Sequence, residues 1–263
     1  MPEAEISNAV CPECDGRGWV VEQDGKAGTA RPCECQKRGR IPRLLEAAGV
    51  PPRYRGCRLA NFNINIKGAK DQLVQARALA ARYVESFLRP DGRVRESGLL
   101  FIGPPGVGKT HLAVAVLVEL VERYGVPGKF VDFTSLIHQI QSTFDPQAQE
   151  SKAEVLEPVV RAEVLVLDEL GAQKPTAWVT DTLYLILNTR YTQRRPTLFT
   201  TNYRLDPAGE RPSLDRGADA PAPELLASRL PAMLLSRLYE MAQPVVLDSV
   251  DYRQKVLMPS RHI

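Results

Sequence analysis

The run Gly103-Pro104-Pro105-Gly106-Val107-Gly108-Lys109-Thr110 carries the spacing G-x-x-x-x-G-K-[ST] at every constrained position. Glycines at these points let backbone N–H groups turn inward and cradle phosphate oxygens. A helix that starts at the lysine adds the positive end of its dipole at the same place. On this reading Lys109 reaches the β- and γ-phosphates and the Thr110 hydroxyl holds Mg²⁺, with His111 next along the binding segment. The second group of chemistry-bearing residues lies about sixty positions on, where the apolar run Val164-Leu165-Val166-Leu167 ends in Asp168-Glu169. Asp168 is placed to contact Mg²⁺ and Glu169 to orient and polarise an attacking water. A third polar strand end, Thr200-Thr201-Asn202, puts an amide where it can donate to a γ-phosphate or hold that water.

These residues need a particular scaffold. Gly98–Ile102 reads as a short buried strand before the phosphate loop, and Lys109–Tyr124 as the helix after it. Strands are also expected at Lys129–Phe133, at Val164–Leu167, at Pro196–Asn202 and at Pro244–Leu247. Helices are expected at Ser135–Thr143, Glu154–Arg161, Ala177–Arg194 and Glu224–Met241. Arg204–Pro223, rich in Pro, Gly, Asp and Arg, reads as a long loop. Five strands alternating with helices imply a parallel α/β sheet, whose strand C-termini form the ligand crevice.

Four of the five cysteines fall in the first 35 residues, as Cys11-Pro12-Glu13-Cys14 and Cys33-Glu34-Cys35. Without secretory features, this spacing argues for metal rather than disulfides. Four thiolates can close a structural Zn²⁺ site on a small β-ribbon, with Val20-Val21 and the turn-like Asp24-Gly25 as its hairpin. Cys57 stands apart and reads as an ordinary small residue.

Composition sets the outer bounds. The 263 residues are 44% apolar, enough for one large domain and a small appendage. No apolar stretch approaches the ~18–20 residues that span a bilayer, and the acidic first residues lack a secretory core, so a cytoplasmic protein with no membrane partner is expected. The net charge of +3 is uneven: Arg31 to Arg58 holds eight Lys/Arg against two Glu. Such a stretch suits nucleic acid, an acidic protein surface, or solvent alone. The expected organisation is a zinc-binding module at 1–45, a basic linker at 46–70 and a nucleotide-binding domain at 71–263.

Taken together, Gly103–Thr110, Val164–Gly171, Asn188–Tyr191, Thr200–Asn202, Ser236–Leu238 and Asp251–Arg253 resemble the DnaC/DnaI-type bacterial helicase loaders, AAA+ ATPases related to IstB-type transposition helpers. Val50–Arg55 and Leu59–Phe62 resemble the segment that leads into the family's ATPase domain, and a cysteine-rich N-terminus resembles the DnaI side of the family. The resemblance covers roughly residues 50–257. It implies an AAA+ phosphate-loop fold with a reduced or absent lid, ATP as ligand, and assembly into an oligomer. It further implies that Asn202 is the first sensor, Arg237 an arginine finger acting on the neighbour's ATP, and Arg253 a second sensor acting in cis. A second Ser-Arg-Leu at Ser228–Leu230 leaves Arg229 as another candidate finger. The implied function is loading of the replicative DNA helicase onto single-stranded DNA with ATP hydrolysis. Two readings stay open beside it: a transposition helper assembling on duplex DNA, and an ATP-dependent adaptor without productive hydrolysis.

Overall fold

The computed structural model describes residues 19–24, 27–32, 34–66, 69–205 and 224–252. Seven strands and seven α-helices occur among them. The described residues begin with an antiparallel hairpin, β1 (Trp19–Asp24) and β2 (Ala27–Pro32), followed by α1 (Glu34–Ala47). The main body runs α2 (Lys70–Glu85), β3 (Gly98–Ile102), α3 (Lys109–Tyr124), β4 (Gly128–Asp132), α4 (Phe133–Ser142), α5 (Lys152–Arg161), β5 (Val164–Asp168), α6 (Ala177–Thr192), β6 (Thr197–Thr201), α7 (Ala232–Met241) and β7 (Ala242–Val246).

β3 to β7 form one parallel sheet in the order β4-β5-β6-β3-β7. From β3 the chain crosses two strand positions to reach β4, and from β6 it returns to the far side of β3. Connections therefore diverge at the C-terminal end of β3, which opens a crevice there. The central strands are buried on both faces: β3 and β5 are largely apolar, whereas β6 carries the buried threonines Thr197, Thr200 and Thr201. Leu99, Phe101, Val166 and Leu198 face a core shared with α2, α3 and residues 48–66. Leu100, Ile102, Leu165, Leu167 and Phe199 face the core built by α4 to α7. The result is a helix–sheet–helix sandwich.

Local signals explain the helix ends. Gly108 (φ 97°) precedes α3 and Gly125 (φ 65°) ends it, donating its N–H to Val121 O at 2.9 Å. Asp132 caps α4 by accepting from Ser135 N at 2.7 Å. Ser151 and Glu154 form a reciprocal capping box on α5.

The structure differs from the sequence pattern in three places. The helix expected from Glu224 breaks: a 3₁₀ turn spans Leu226–Ser228, and α7 starts only after Pro231, which lacks an N–H to continue a helix. β7 starts at Ala242 and admits Pro244 because it is an edge strand, paired with β3 alone. α1 and α2 have no counterpart among the expected helices. Most of the expected long loop, 206–223, lies outside the described residues, as do residues 1–18.

Candidate functional site

Gly103 to Thr110 joins the end of β3 to the start of α3, so the loop opens at the divergence point of the sheet. Gly106 (φ 81°) and Gly108 (φ 97°) are left-handed, and neither tolerates a side chain. A Cβ on Gly106 would meet the Asp251 carboxylate, and one on Gly108 would lie 2.6 Å from the Phe62 ring. Lys109 is buried, and its ammonium donates to Pro104 O at 2.7 Å, folded back over its own loop.

The two groups of residues separated in sequence meet here. Thr110 Oγ1 donates to Asp168 Oδ1 at 3.0 Å. On the other side Thr200 Oγ1 donates to the same oxygen at 2.5 Å. Parallel pairing of β5 with both neighbours brings Asp168 beside Asp132 and next to the end of β6. Burial holds the Asp168 carboxyl above the usual aspartate range, and the Asp132 carboxylate adds to this. The Thr200 and Thr110 hydroxyls and the Lys109 ammonium oppose the rise.

Glu169 is exposed at the rim of the same cleft and has φ 60°, a rare conformation for a residue with a side chain. Its backbone N–H donates to Thr200 Oγ1 at 3.0 Å, and Leu170 N donates to Thr200 O at 2.8 Å. Thr200 thus holds the acidic pair in place from both ends. In sequence Thr200 stands only within the motif Thr200–Asn202. Its signal was a hydroxyl inside a fully buried strand, where it needs a partner. Asn202 lies one residue beyond β6 and lines the cleft with Thr200 and Glu169.

The cleft encloses about 270 Å³. Its opposite wall is the segment expected to be a basic linker. Arg53, Tyr54, Asn61, Phe62, Asn63 and Ile66 line it, joined by Tyr252 from the far end of the chain. Ala48, Val50, Cys57, Leu59, Phe62 and Ile66 are buried against the core, so this segment is packed down rather than extended. Burial also pushes the Cys57 thiol up. His111 Nε2 lies 3.0 Å from Arg58 O, and since a carbonyl only accepts, that nitrogen carries the proton. Burial lowers the His111 pKa, and its ring stands edge-on to Phe62 with centroids 5.4 Å apart.

Arg237 does not line the cleft. It sits on α7, half-buried, with its guanidinium 4.7 Å over the Tyr184 ring and Nη2 donating to the Tyr184 hydroxyl at 3.4 Å. Arg229 is bound within its own chain, donating to Glu224 Oε2 at 2.7 Å and lying 4.9 Å over the Tyr203 ring. Arg253 lies outside the described residues, as do Cys11, Cys14, Cys33 and the side chain of Cys35.

The glycine-rich loop ends beside hard oxygen donors, a hydroxyl and a carboxylate, of the kind that Mg²⁺ takes. Comparison with known proteins places this arrangement in context. A family profile described as "IstB-like ATP binding protein" matches residues 53–210. Protein YqaM of Bacillus subtilis is 28% identical over 182 residues, 67% of this chain and 56% of that protein, so the match spans little more than half of that relative. The replicative helicase loader DnaC of Escherichia coli is 27% identical over 191 residues, 72% of each chain. A crystal structure of the DnaC helicase loader superposes with a TM-score of 0.59 at 32% identity, covering 75% of this chain and 99% of that one. With the profile spanning more than half of its length and the same sheet carrying the phosphate loop, this chain belongs to the DnaC/DnaI-type helicase-loader family of AAA+ ATPases, within the IstB-like ATP-binding group.

Proposed function

We propose that this protein is an ATP-hydrolysing loader of a replicative DNA helicase, acting as an oligomer on single-stranded DNA. The observation that carries the ATPase part is the hydrogen bond from Thr110 to Asp168, which fastens the phosphate loop to the acidic strand end. In this reading the inward N–H groups of Gly106 to Thr110 and the Lys109 ammonium bind the β- and γ-phosphates of ATP. Thr110 and Asp168 hold Mg²⁺, whose role when bound is to neutralise charge on the phosphates. Glu169 orients the attacking water and accepts its proton, held at the rim by the Thr200 hydroxyl. Asn202 helps to position that water from the end of β6. The rings of Tyr54 and Phe62 offer the apolar surface an adenine base needs.

Arg237 acts in trans on a neighbour's phosphates, and Arg253 in cis. That Arg237 lies away from its own cleft, on an outer helix, supports the trans assignment. The helicase and DNA parts rest on family membership and on the basic stretch from Arg31 to Arg58. The N-terminal segment is read as a structural zinc module. In support, the hairpin pairs Trp19 with Pro32, which in sequence stand five residues after Cys14 and one before Cys33. Metal analysis tests this: less than about half an equivalent of zinc in metal-replete protein rejects it.

The main test is Glu169→Gln. The variant is expected to bind ATP as tightly as the parent, to lose turnover, and to stay trapped on its helicase. Release at the parent's rate rejects the hydrolysis-driven cycle and leaves an ATP-dependent adaptor. The family description keeps a transposition helper as the second reading. ATP-dependent assembly on duplex DNA with no capture of a replicative helicase decides for it.

A further inference from the structure

The chain does not leave the sheet when β7 ends. Leu247 N still donates to Ile102 O at 2.7 Å, and a Cβ on Gly103 would lie only 2.0 Å from Leu247 O. Asp248 N then donates to Gln72 Oε1 at 3.1 Å, tying the strand extension to α2. Four residues on, Tyr252 N donates to Gly106 O at 3.2 Å. At Gly106 the Asp251 carboxylate presses on the loop: a Cβ there would come within 2.0 Å of Oδ1 and 2.8 Å of Oδ2. The last described residues of the chain therefore lie along the phosphate loop, with a carboxylate on its central glycine and an aromatic ring in the cleft.

A glycine-rich loop at the start of α3 sits at the positive end of that helix's dipole, a field suited to anions. A carboxylate at Gly106 shares that field. A polyphosphate seated in the same loop brings several negative charges close to it, and like charges at such range repel strongly where solvent is partly excluded. We propose that Asp251 is an electrostatic latch. It holds the Asp251–Tyr252 corner on the phosphate loop until polyphosphate enters, and the polyphosphate then pushes the corner off. The latch ties the phosphates in the cleft, rather than the base, to the position of the C-terminal segment. The inference rests on the loop being an ATP site.

Two consequences follow for the intact protein. Asp251 opposes polyphosphate binding, so removing its charge tightens ATP. Displacement of the corner breaks the Tyr252 N–H bond to Gly106, so ATP exposes that amide to exchange. The test combines direct titration of ATP and of adenosine with hydrogen exchange across residues 248–252. Asp251→Asn is expected to tighten ATP by roughly tenfold, given one unit charge a few ångströms from the phosphates, and to leave adenosine affinity unchanged. Asp251→Ser, also neutral, is expected to do the same, which guards against a packing effect of one substitution. In the parent, ATP with Mg²⁺ is expected to speed exchange at Tyr252, and adenosine is not. Weaker or unchanged ATP binding in both variants overturns the latch, as does slower Tyr252 exchange on ATP addition. Parent protein that binds no ATP at all fails the underlying nucleotide reading instead, a result visible before any variant is made.

Discussion

Thr200 serves two acidic residues with one hydroxyl, donating to Asp168 and accepting from the backbone of Glu169. Thr200→Val keeps the shape and removes both bonds. Bonds to charged groups contribute about 1.5–3 kcal/mol, so turnover should fall by roughly 10- to 150-fold. ATP affinity in a direct titration should hold, since Thr200 does not belong to the phosphate loop. Thr200→Ser should restore turnover, whereas recovery failing in the serine variant counts against the hydroxyl. Asp168 makes a prediction of the opposite kind, for stability. Its carboxyl is held above the usual range by burial, so the folded state favours the protonated form. Stability is least affected below the unfolded value and falls as pH rises through the folded value, because the ionised form is then carried in a buried site. Asp168→Asn should therefore raise the melting temperature of metal- and nucleotide-free protein at neutral pH while abolishing turnover. The gain should shrink on acidification towards pH ~4, where the parent is protonated too. A gain that grows on acidification contradicts the burial argument.

At the scale of elements, Arg190 shows how helices are fastened to the sheet. It is fully buried on α6 and donates to Val159 O and Ala162 O at the end of α5, to Pro196 O, and to Thr197 Oγ1 at the start of β6. Each carbonyl orphaned by removal costs about 1–3 kcal/mol, so Arg190→Met should lose more than about 3 kcal/mol in denaturant unfolding. Arg190→Lys should not rescue it, because one ammonium cannot replace a guanidinium fork that bonds both the end of α5 and the start of β6. In sequence this arginine stands only within the motif Asn188–Tyr191, and nothing local reveals its burial. The loop was legible because its glycines and lysine keep a fixed spacing, and β5 and β6 because each joins contiguous apolar residues to a polar end. The wall of the cleft was not legible. Val50, Leu59, Phe62 and Ile66 follow no period, and only contact with α3 and the loop turns them into a surface. The break at Pro231 was misjudged because the apolar spacing on either side of it stays helical.

Over the whole molecule, the cleft is walled by residues drawn from widely separated parts of one chain. Its lining comes from the phosphate loop, the ends of β5 and β6, residues 53–66 and Tyr252, whereas both candidate fingers lie away from it, half-buried against aromatic rings. An arginine that completes a neighbour's site makes turnover a property of pairs of protomers, and a head-to-tail contact repeats the pairing around an assembly. This can be read by mixing. Glu169→Gln keeps Arg237 but cannot hydrolyse, and Arg237→Ala keeps Glu169 but has no finger to offer. In a one-to-one mixture, half of the sites retain Glu169, and half of those face a neighbour that retains Arg237. About a quarter of parental turnover should therefore return, if protomers mix freely and sites act independently. The same mixture made with Arg229→Ala in place of Arg237→Ala separates the two candidates. Arg229 is bonded to Glu224 in its own chain, so its loss is expected to leave hydrolysis largely intact without any mixing. Complementation by Arg229→Ala, with none by Arg237→Ala, reassigns the finger to the segment before α7. A mixture that stays inactive with either arginine variant places the arginine in its own site and removes the need for an oligomer from the hydrolysis step.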